Sequence, residues 1–260
     1  MLILSFKLFI TPLLIGLVTL AGRRWGAVIS GLLVGLPLTT GPISFILAHE
    51  QGLEFASKAA IGNLVGQVSI CAFCLTYIFM AQKSNWLISV FTAIATFLTA
   101  TLVWNSFSWS LLPAFTFLFA SISLAIWVAP RYLVSPQTTN PPKWDLQARM
   151  IIATAFVVLL TSFAKVLGSQ LSGLISPFPV FGAVLAAFTH HQQGGQAASN
   201  LLRGVILGSA SFAFFFLMVG VLLTTSGIAI TYILASMVAI LISCLIYFIT
   251  QRKIFSVHQK

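Results

Sequence analysis

The feature that most constrains this chain is a series of apolar stretches, each long enough to cross a lipid bilayer as an α-helix. A spanning helix needs roughly 20 residues to cover about 30 Å of hydrocarbon. Only 6% of the residues are charged, whereas a soluble domain carries about a quarter, and strand-like alternation is absent from the stretches. The sequence therefore predicts an all-α, polytopic membrane protein with nine transmembrane helices. The predicted spans are 2–22, 26–49, 59–81, 86–104, 109–129, 149–168, 170–190, 201–223 and 228–250.

The chain also contains an internal repeat, because residues separated by a constant offset of 142 positions match each other without a gap. Shared apolar residues mean little in such a composition, but shared prolines, histidines, glutamines and glycines are typical of a duplication. The matching pairs include Ser30 and Ser172, Gly31 and Gly173, Pro37 and Pro179, His49 and His191, Gln51 and Gln193, Gly52 and Gly194, Gly62 and Gly204, and Gly66 and Gly208. We therefore expect a first repeat over 1–104 (helices one to four), a linking helix five with a polar loop over 105–148, and a second repeat over 149–260 (helices six to nine) that ends in a short basic tail.

The number of crossings and the positions of the basic residues predict the orientation of the two copies. Five crossings separate equivalent helices, and an odd number places the second copy upside down, which gives two inverted four-helix repeats joined by one extra helix. Basic residues favour the cytoplasmic side of a membrane. With nine crossings, Lys7, Lys58 and Lys165 lie on one side and the other ten on the opposite side, so we expect a periplasmic N-terminus and a cytoplasmic C-terminus. Those ten are Arg23, Arg24, Lys83, Arg131, Lys143, Arg149, Arg203, Arg252, Lys253 and Lys260.

Several classes of function are disfavoured by the sequence. The net charge of +10 comes from basic residues scattered between apolar stretches and not clustered as on a nucleic-acid-binding face. Cys71 and Cys74 lie one turn apart in a predicted helix, and no second Cys or His pair completes a metal site, so we interpret them as small core residues. No Ser–His–acid set with plausible spacing, HExxH motif or phosphate-binding P-loop is present. We expect no enzymatic activity, no metal, no cofactor and no nucleic-acid partner.

The second predicted helix of each repeat is interrupted by prolines, Pro37 and Pro42 in the first copy and Pro177 and Pro179 in the second. Each proline lacks an N–H and crowds the carbonyl four residues back, so two in a short stretch predict a broken helix and not merely a bent one. Pro37 lies roughly 16 Å into its span, near the bilayer midplane. Unpaired backbone at that depth is tolerated only against protein or a water-filled cavity. Paired breaks in two inverted halves point to the central site of a transporter.

The residues at these breaks are the candidates for substrate binding. They are Pro37, Thr39, Thr40 and Ser44 in the first copy and Ser176, Pro177 and Pro179 in the second. We expect both breaks to line one polar cavity, where hydroxyls of the first copy bond a polar substrate and Phe181, Gly182 and Ala186 form the apolar counterpart in the second. Two alternatives stay open: simple proline kinks, and hydroxyls that bond the carbonyls of their own helix.

Ionisable residues near helix ends are the candidates for coupling or gating. They are His49, Glu50, His191, Lys165 and Arg203. Either Glu50 or nearby Glu54 would bind a coupling proton, with His49 as its neighbour. The alternative for the histidine-containing runs is a solvated helix-end turn capped by Gly52 and Gly194. For Lys165 and Arg203, the alternative to an anion-attracting vestibule is snorkelling to the lipid headgroups.

The stretch from Ser169 to about Leu223 carries a run of distinctive motifs. These are Ser172-Gly173-Leu174-Ile175-Ser176-Pro177-Phe178-Pro179, then His190-His191, then Ala197-Ala198-Ser199-Asn200-Leu201-Leu202-Arg203. In these motifs the chain resembles the GlpM-like family of small bacterial inner-membrane proteins, and the first repeat shows the likeness more weakly, with Ile61 in place of Arg203. The resemblance implies a four-helix unit, present here as two fused copies plus one inverting helix, and a location in the bacterial inner membrane. It implies no substrate.

Together these features favour a secondary membrane transporter or flippase that works by alternating access about the broken helices. The expected substrate is a small polar solute or lipid headgroup, with an anionic group slightly favoured. The alternative is a non-transporting membrane assembly or regulatory subunit, because no deeply buried carboxylate suggests proton coupling. The expected partners are the lipid bilayer and this substrate, and a homodimer is left open.

Overall fold

The computed structural model describes residues 2–132, 141, 142, 144–166 and 178–257, and the side chains of 8–132, 141, 142, 144–159 and 178–250. The described residues form helices and contain no strand. The helices are α1 (Leu2–Trp25), α2 (Ala27–Val34), α3 (Thr40–Glu50), α4 (Leu53–Met80), α5 (Trp86–Asn105), α6 (Leu111–Val128), α7 (Asp145–Val166), α8 (Val180–Gln193) and α9 (Gly195–Val257).

The long helix α9 is a hairpin of two antiparallel arms. At Gly227 the backbone leaves the helical region, with φ 73° and ψ 177°. Ser211 and Ser243, equally far before and after this glycine, join their hydroxyl oxygens at 2.7 Å. The arms 195–226 and 228–257 therefore lie side by side and contain the separate predicted spans 201–223 and 228–250.

The helices confirm an all-helical membrane protein. Within the described part of the chain, five helices are long and apolar enough to cross a bilayer: α1, α4, α5, α6 and α9. Their outward faces carry large apolar side chains, such as Phe9 at 80% exposure and Trp127 at 83%. Such a surface requires a hydrocarbon environment, since a soluble monomer rarely exposes a contiguous apolar patch of more than a few hundred Å².

The second predicted span is broken, as its prolines predict. Helix α2 ends at Val34, and α3 begins at Thr40 after a tight turn in which the Leu38 N–H donates to the Leu36 carbonyl at 2.8 Å. In the second copy, α8 begins at Val180 with Pro179 as its N-cap residue. Ser176 and Pro177, which precede that helix, lie outside the described residues.

Helix α2 packs against the first arm of α9 through four glycines, Gly31, Gly35, Gly204 and Gly208, and we call this contact the glycine crossing. Each helix contributes a G-x-x-x-G pair, which lets two backbones approach closely inside a membrane. A Cβ added at Gly35 would lie 2.7 Å from the Cα of Gly208, and one added at Gly208 would lie 2.8 Å from the Cα of Gly35. A Cβ at Gly31 or Gly204 would overlap a backbone carbonyl oxygen of the opposite helix.

Helix α4 and the first arm of α9 run antiparallel at the centre of the molecule. Ser57 donates to the Gly220 carbonyl at 3.1 Å, and the Gln67 amide donates to Ser209 at 2.7 Å. In the turn just after α4, Gln82 donates to the Ser199 hydroxyl at 2.9 Å. As the residue number rises along α4, the partner's number falls, so the two helices point in opposite directions. Their shared interface holds fully buried side chains, including Phe73, Tyr77, Leu202, Ile206 and Phe216.

We predict that Gly204→Ala lowers the free energy of unfolding by about 3 kcal/mol, because overpacking a close contact costs about 1–3 kcal/mol and backbone atoms cannot rotate away. Thermal or denaturant unfolding in detergent would measure this loss.

The matched control is Gly62→Ala. Gly62 also begins a G-x-x-x-G pair within a helix, and nothing lies within 4 Å of a Cβ placed there. This variant should keep the stability or raise it by up to about 1 kcal/mol, because alanine is the better helix former. Equal losses in the two variants would contradict the importance of the glycine crossing.

Candidate functional site

The break between α2 and α3 brings three hydroxyl groups to one short helix. Thr39 is the N-cap residue of α3 and makes no side-chain capping bond. Thr40 and Ser44 are four residues apart and therefore share one face of the helix. The Ser44 hydroxyl lies 2.6 Å from the hydroxyl of Tyr232 on the second arm of α9, and these residues are 3% and 8% exposed.

The hydroxyl of Thr40 is buried and has no hydrogen-bond partner among the described residues. A buried hydroxyl without a partner costs roughly 1–3 kcal/mol, so such a group is available to a ligand or a water molecule. Other hydroxyls bond their own helix carbonyls, as Thr92 does to Ile88 and Ser121 to Phe117, both at 2.7 Å. Four further buried hydroxyls, of Thr19, Ser69, Thr101 and Thr231, also lack a partner among the described residues, and Thr40 differs from them in its position at the helix break. Thr40 makes no such bond among the described residues, and Ser44 pairs with the Tyr232 hydroxyl instead.

The second break is apolar on its described side. Pro179 is buried, and Phe178 before it stacks on Phe156 with ring centroids 6.0 Å apart and meets the edge of Phe97 at 5.5 Å. Ala186, which replaces Ser44 in the second copy, is fully buried. Helix α2 contacts α8, so the two interrupted segments are neighbours. The predicted shared cavity would also involve Ser176 and Pro177, which lie outside the described residues.

The histidine-containing runs lie at exposed helix ends. His49 and Glu50 are exposed at the end of α3, and His49 meets the edge of the Phe45 ring at 4.9 Å. His191 is exposed and meets the edge of Trp86 at 6.0 Å. The glycines that follow these runs, Gly52 and Gly194, have positive φ angles of 91° and 88°. This geometry is that of the helix-end turn and favours that interpretation over a buried coupling site.

Arg203 is buried and does not reach outward to headgroups. It is 6% exposed and donates to the carbonyl of Ala129, the residue after α6. One turn before it, Asn200 accepts from the Tyr132 N–H at 3.3 Å and donates to the Tyr132 carbonyl at 2.9 Å. These bonds hold the chain that leaves α6 against α9, so snorkelling is wrong for Arg203. The side chain of Lys165 lies outside the described residues.

An ionic cluster around the buried carboxylate of Asp145 joins three helices, and it was not predicted from the sequence. Asp145, at the start of α7, is 0% exposed and bonds Arg23 of α1 at 2.8 Å, Arg149 at 2.9 Å and the Gln192 amide of α8 at 2.5 Å. The Arg149 guanidinium also lies 5.0 Å from the centre of the Phe188 ring. We call these four polar residues, Arg23, Asp145, Arg149 and Gln192, the ionic cluster. The four-residue spacing of Asp145 and Arg149 on one helix was the available signal.

The ionic cluster determines the protonation of Asp145, which precedes the predicted span 149–168. Burial raises the pKa of this carboxyl, but hydrogen bonds from Arg149, Gln192 and Arg23 outweigh burial and hold the pKa below its ordinary value. Asp145 is therefore a carboxylate at neutral pH. Its contribution to stability is complete above its ordinary pKa and is lost as the pH falls through the lowered value.

Comparison with protein-family models, with curated proteins and with solved structures gives no match to this chain.

We predict that Asp145→Asn lowers the free energy of unfolding at neutral pH by about 3 kcal/mol, because it leaves the buried Arg149 charge without its counter-charge. The stability gap from the unmodified protein should shrink as the pH falls below the ordinary carboxyl pKa of about 4, and it should close only below the lowered pKa of Asp145, where the native carboxyl is protonated. Unfolding in detergent as a function of pH would measure it.

Glu54→Gln is the control, since Glu54 is an exposed acid in the first turn of α4. This change should shift stability by less than about 0.5 kcal/mol. A loss in Asp145→Asn that persists unchanged in acid would contradict an electrostatic origin.

Proposed function

We propose that this protein is a secondary transporter or flippase that moves a small polar solute or lipid headgroup by alternating access. The observation that carries the proposal is the break between α2 and α3, where the buried Thr40 hydroxyl has no partner among the described residues. An unsatisfied polar group inside an apolar bundle is costly, and a polar substrate would supply the missing hydrogen bond while it is bound. The positive end of the α3 dipole lies at the same break and favours an anionic group.

We propose further that the chain makes nine crossings in two inverted four-helix repeats, and three contacts support this. Gln67 and Ser209, which bond each other, are 142 positions apart, and a two-fold axis requires such contacts between equivalent residues. Ser57 donates to the Gly220 carbonyl. Ser199, the equivalent of Ser57, bonds Gln82, which lies one turn beyond the position equivalent to Gly220.

Backbone geometry supports the same repeat. Gly52 has φ 91° and ψ 166°, and its equivalent Gly194 has φ 88° and ψ 169°. Gly227, where the arms of α9 meet, is the equivalent of Asn85, which precedes α5. Because α4 and the first arm of α9 are equivalent and antiparallel, an axis that relates them is perpendicular to both helices. For spanning helices, such an axis lies in the membrane plane, as in transporters with inverted repeats.

The break separates two parts of one span that contact different neighbours. Helix α2 is bound to the first arm of α9 by the glycine crossing, whereas α3 contacts α4 and reaches the second arm through Ser44. A hinge at Pro37 between them allows one half of the bundle to rock against the other. The ionic cluster and the Gln82–Ser199 bond tie helix ends together on the predicted cytoplasmic side, so this conformation corresponds to a state closed on that side.

We place the protein in the bacterial inner membrane, with the N-terminus periplasmic and the C-terminus cytoplasmic, on the distribution of basic residues and the GlpM-like resemblance. The prediction is that Ser106→Cys, in the exposed turn after α5, reacts in whole cells with a membrane-impermeant maleimide. Lys83→Cys, in the exposed turn before α5, should react only after the cells are opened. The reverse pattern would contradict the proposed orientation.

The substrate site is tested by the double variant Thr39→Val with Thr40→Val, which keeps the shape and removes two hydroxyls. A thermal-shift screen against anionic metabolites and lipid phosphates identifies a ligand, whose uptake or flipping is then measured in proteoliposomes. Each lost hydrogen bond should weaken that ligand's binding by about 1 kcal/mol, or roughly fivefold.

The matched control is Thr96→Val with Thr99→Val, because both of these hydroxyls bond their own helix carbonyls, at 3.0 Å and 2.9 Å. This variant should bind the ligand as the unmodified protein does. A protein that is shifted by no ligand in the screen and moves none of them would favour the alternative, a non-transporting assembly or regulatory subunit.

A further inference from the structure

We infer that a membrane lipid enters this protein sideways, with its hydrocarbon chain in a cleft between α3 and the second arm of α9 and its polar end directed toward the hydroxyls of Ser44 and Tyr232. This inference names the substrate class of the proposed transporter and so rests on the proposed function. The cleft measures about 510 Å³ and opens to the lipid-facing surface. Its lining residues are Phe45, Ala229, Tyr232, Ile233, Ser236, Met237 and Ile240.

The length and position of the cleft match one leaflet of a bilayer. Its lining runs from Ala229, two residues after the Gly227 turn, to Ile240. At 1.5 Å per residue this covers about 16 Å, which is half of the roughly 30 Å hydrocarbon thickness. The exposed side chains of Ile233 and Met237, at 60% and 55%, give this length an apolar wall. A lipid chain that starts at the surface and ends at the midplane has the same extent.

Polar groups lie beside the cleft where the headgroup end of such a lipid would be. The Tyr232 ring meets the edge of Phe45 at 5.2 Å, and its hydroxyl reaches behind the cleft to Ser44. Two hydroxyls that share one hydrogen bond keep one further donor and several acceptor positions. At the surface end, exposed His49 touches Phe45. The same face of α3 continues to the unpartnered Thr40 hydroxyl, about 6 Å further along the helix, so a polar row connects the cleft to the break.

Comparison with a second lipid-facing groove shows which feature is particular to the cleft between α3 and the second arm of α9. It lies between α1 and α7, measures about 550 Å³ and is lined by residues such as Pro12, Met150 and Ala155. Its Thr154 hydroxyl bonds the Met150 carbonyl of the same helix at 2.7 Å, so this hydroxyl is not directed to a ligand. In the other repeat, the positions equivalent to Ser44 and Tyr232 hold Ala186 and Val90, which cannot form the hydroxyl pair. The hydroxyl pair thus distinguishes one cleft from its counterparts.

The test uses the full chain in vesicles of phosphatidylethanolamine and phosphatidylglycerol that contain a phosphatidylglycerol with a diazirine in its acyl chain. After illumination, mass spectrometry locates the labelled residues. We expect label on α3 and on the second arm near Met237, in excess of label on the α1–α7 groove. Tyr232→Phe and Ser44→Ala should each lower the labelling of the cleft about fivefold, as the loss of one hydrogen bond implies.

Two matched variants separate a specific site from the lipids that coat every membrane protein. Ala229→Trp fills the cleft, and Ala155→Trp fills the α1–α7 groove; both alanines are exposed, so neither change disturbs the core. Ala229→Trp should abolish the excess label, whereas Ala155→Trp should leave it unchanged. Equal labelling of the two grooves, or excess label that survives Ala229→Trp, would overturn the inference. A dimer that Ala229→Trp dissociates would assign the cleft to a second copy of the chain and would overturn it too.

Flux measurements in the same vesicles distinguish failure of this inference from failure of the proposed function. Transport of a water-soluble ligand that Ala229→Trp leaves intact, without excess label in the cleft, would refute the lipid substrate and keep the transporter. Excess label that depends on Tyr232, in a protein that moves neither lipid nor solute, would keep the lipid site and refute transport.

Discussion

The glycine crossing between α2 and the first arm of α9 is the contact on which the remaining geometry depends. In a bilayer, the surrounding lipid is as apolar as the helices, so close backbone packing takes over much of the role that the hydrophobic effect has in water. Gly31 and Gly35 meet Gly204 and Gly208 without any intervening side chain. This contact anchors the first half of the broken span, up to the break at Pro37.

Two groups of polar residues in this apolar protein differ in how completely they are satisfied. On the predicted cytoplasmic side, the ionic cluster satisfies the buried charges of Asp145 and Arg149 through Arg23 and Gln192. Removal of any partner would leave a charge in a poorly solvated position, which makes the cluster a strong tie between α1, α7 and α8. At the break, by contrast, the hydroxyls are incompletely satisfied. A molecule that is tightly tied at one end and polar but unsatisfied near its middle is well suited to open around a ligand.

Much of the fold follows from local sequence features. The apolar stretches predict helices, and the Gly227 turn separates the last two predicted spans. Pro37 breaks its helix because the proline ring removes a backbone N–H, whichever helices lie nearby. Gly52 and Gly194 predict helix-end turns because glycine adopts positive φ without a steric penalty, and both do so. These outcomes need no knowledge of which helices are neighbours.

The pairing of side chains was decided by the tertiary structure alone. Thr39, Thr40 and Ser44 were identified from the sequence, but Tyr232, which bonds Ser44 from 188 positions away, was not. Arg203 was a candidate for coupling or gating, with snorkelling to the headgroups as the alternative, and its bond to the Ala129 carbonyl could not be predicted. Asp145 likewise meets Arg23 across 122 positions. Composition and spacing determine that such polar groups are costly in lipid. Only the packing of distant helices determines which partner removes that cost, because the relevant distances depend on crossing angles and contacts that no local pattern encodes.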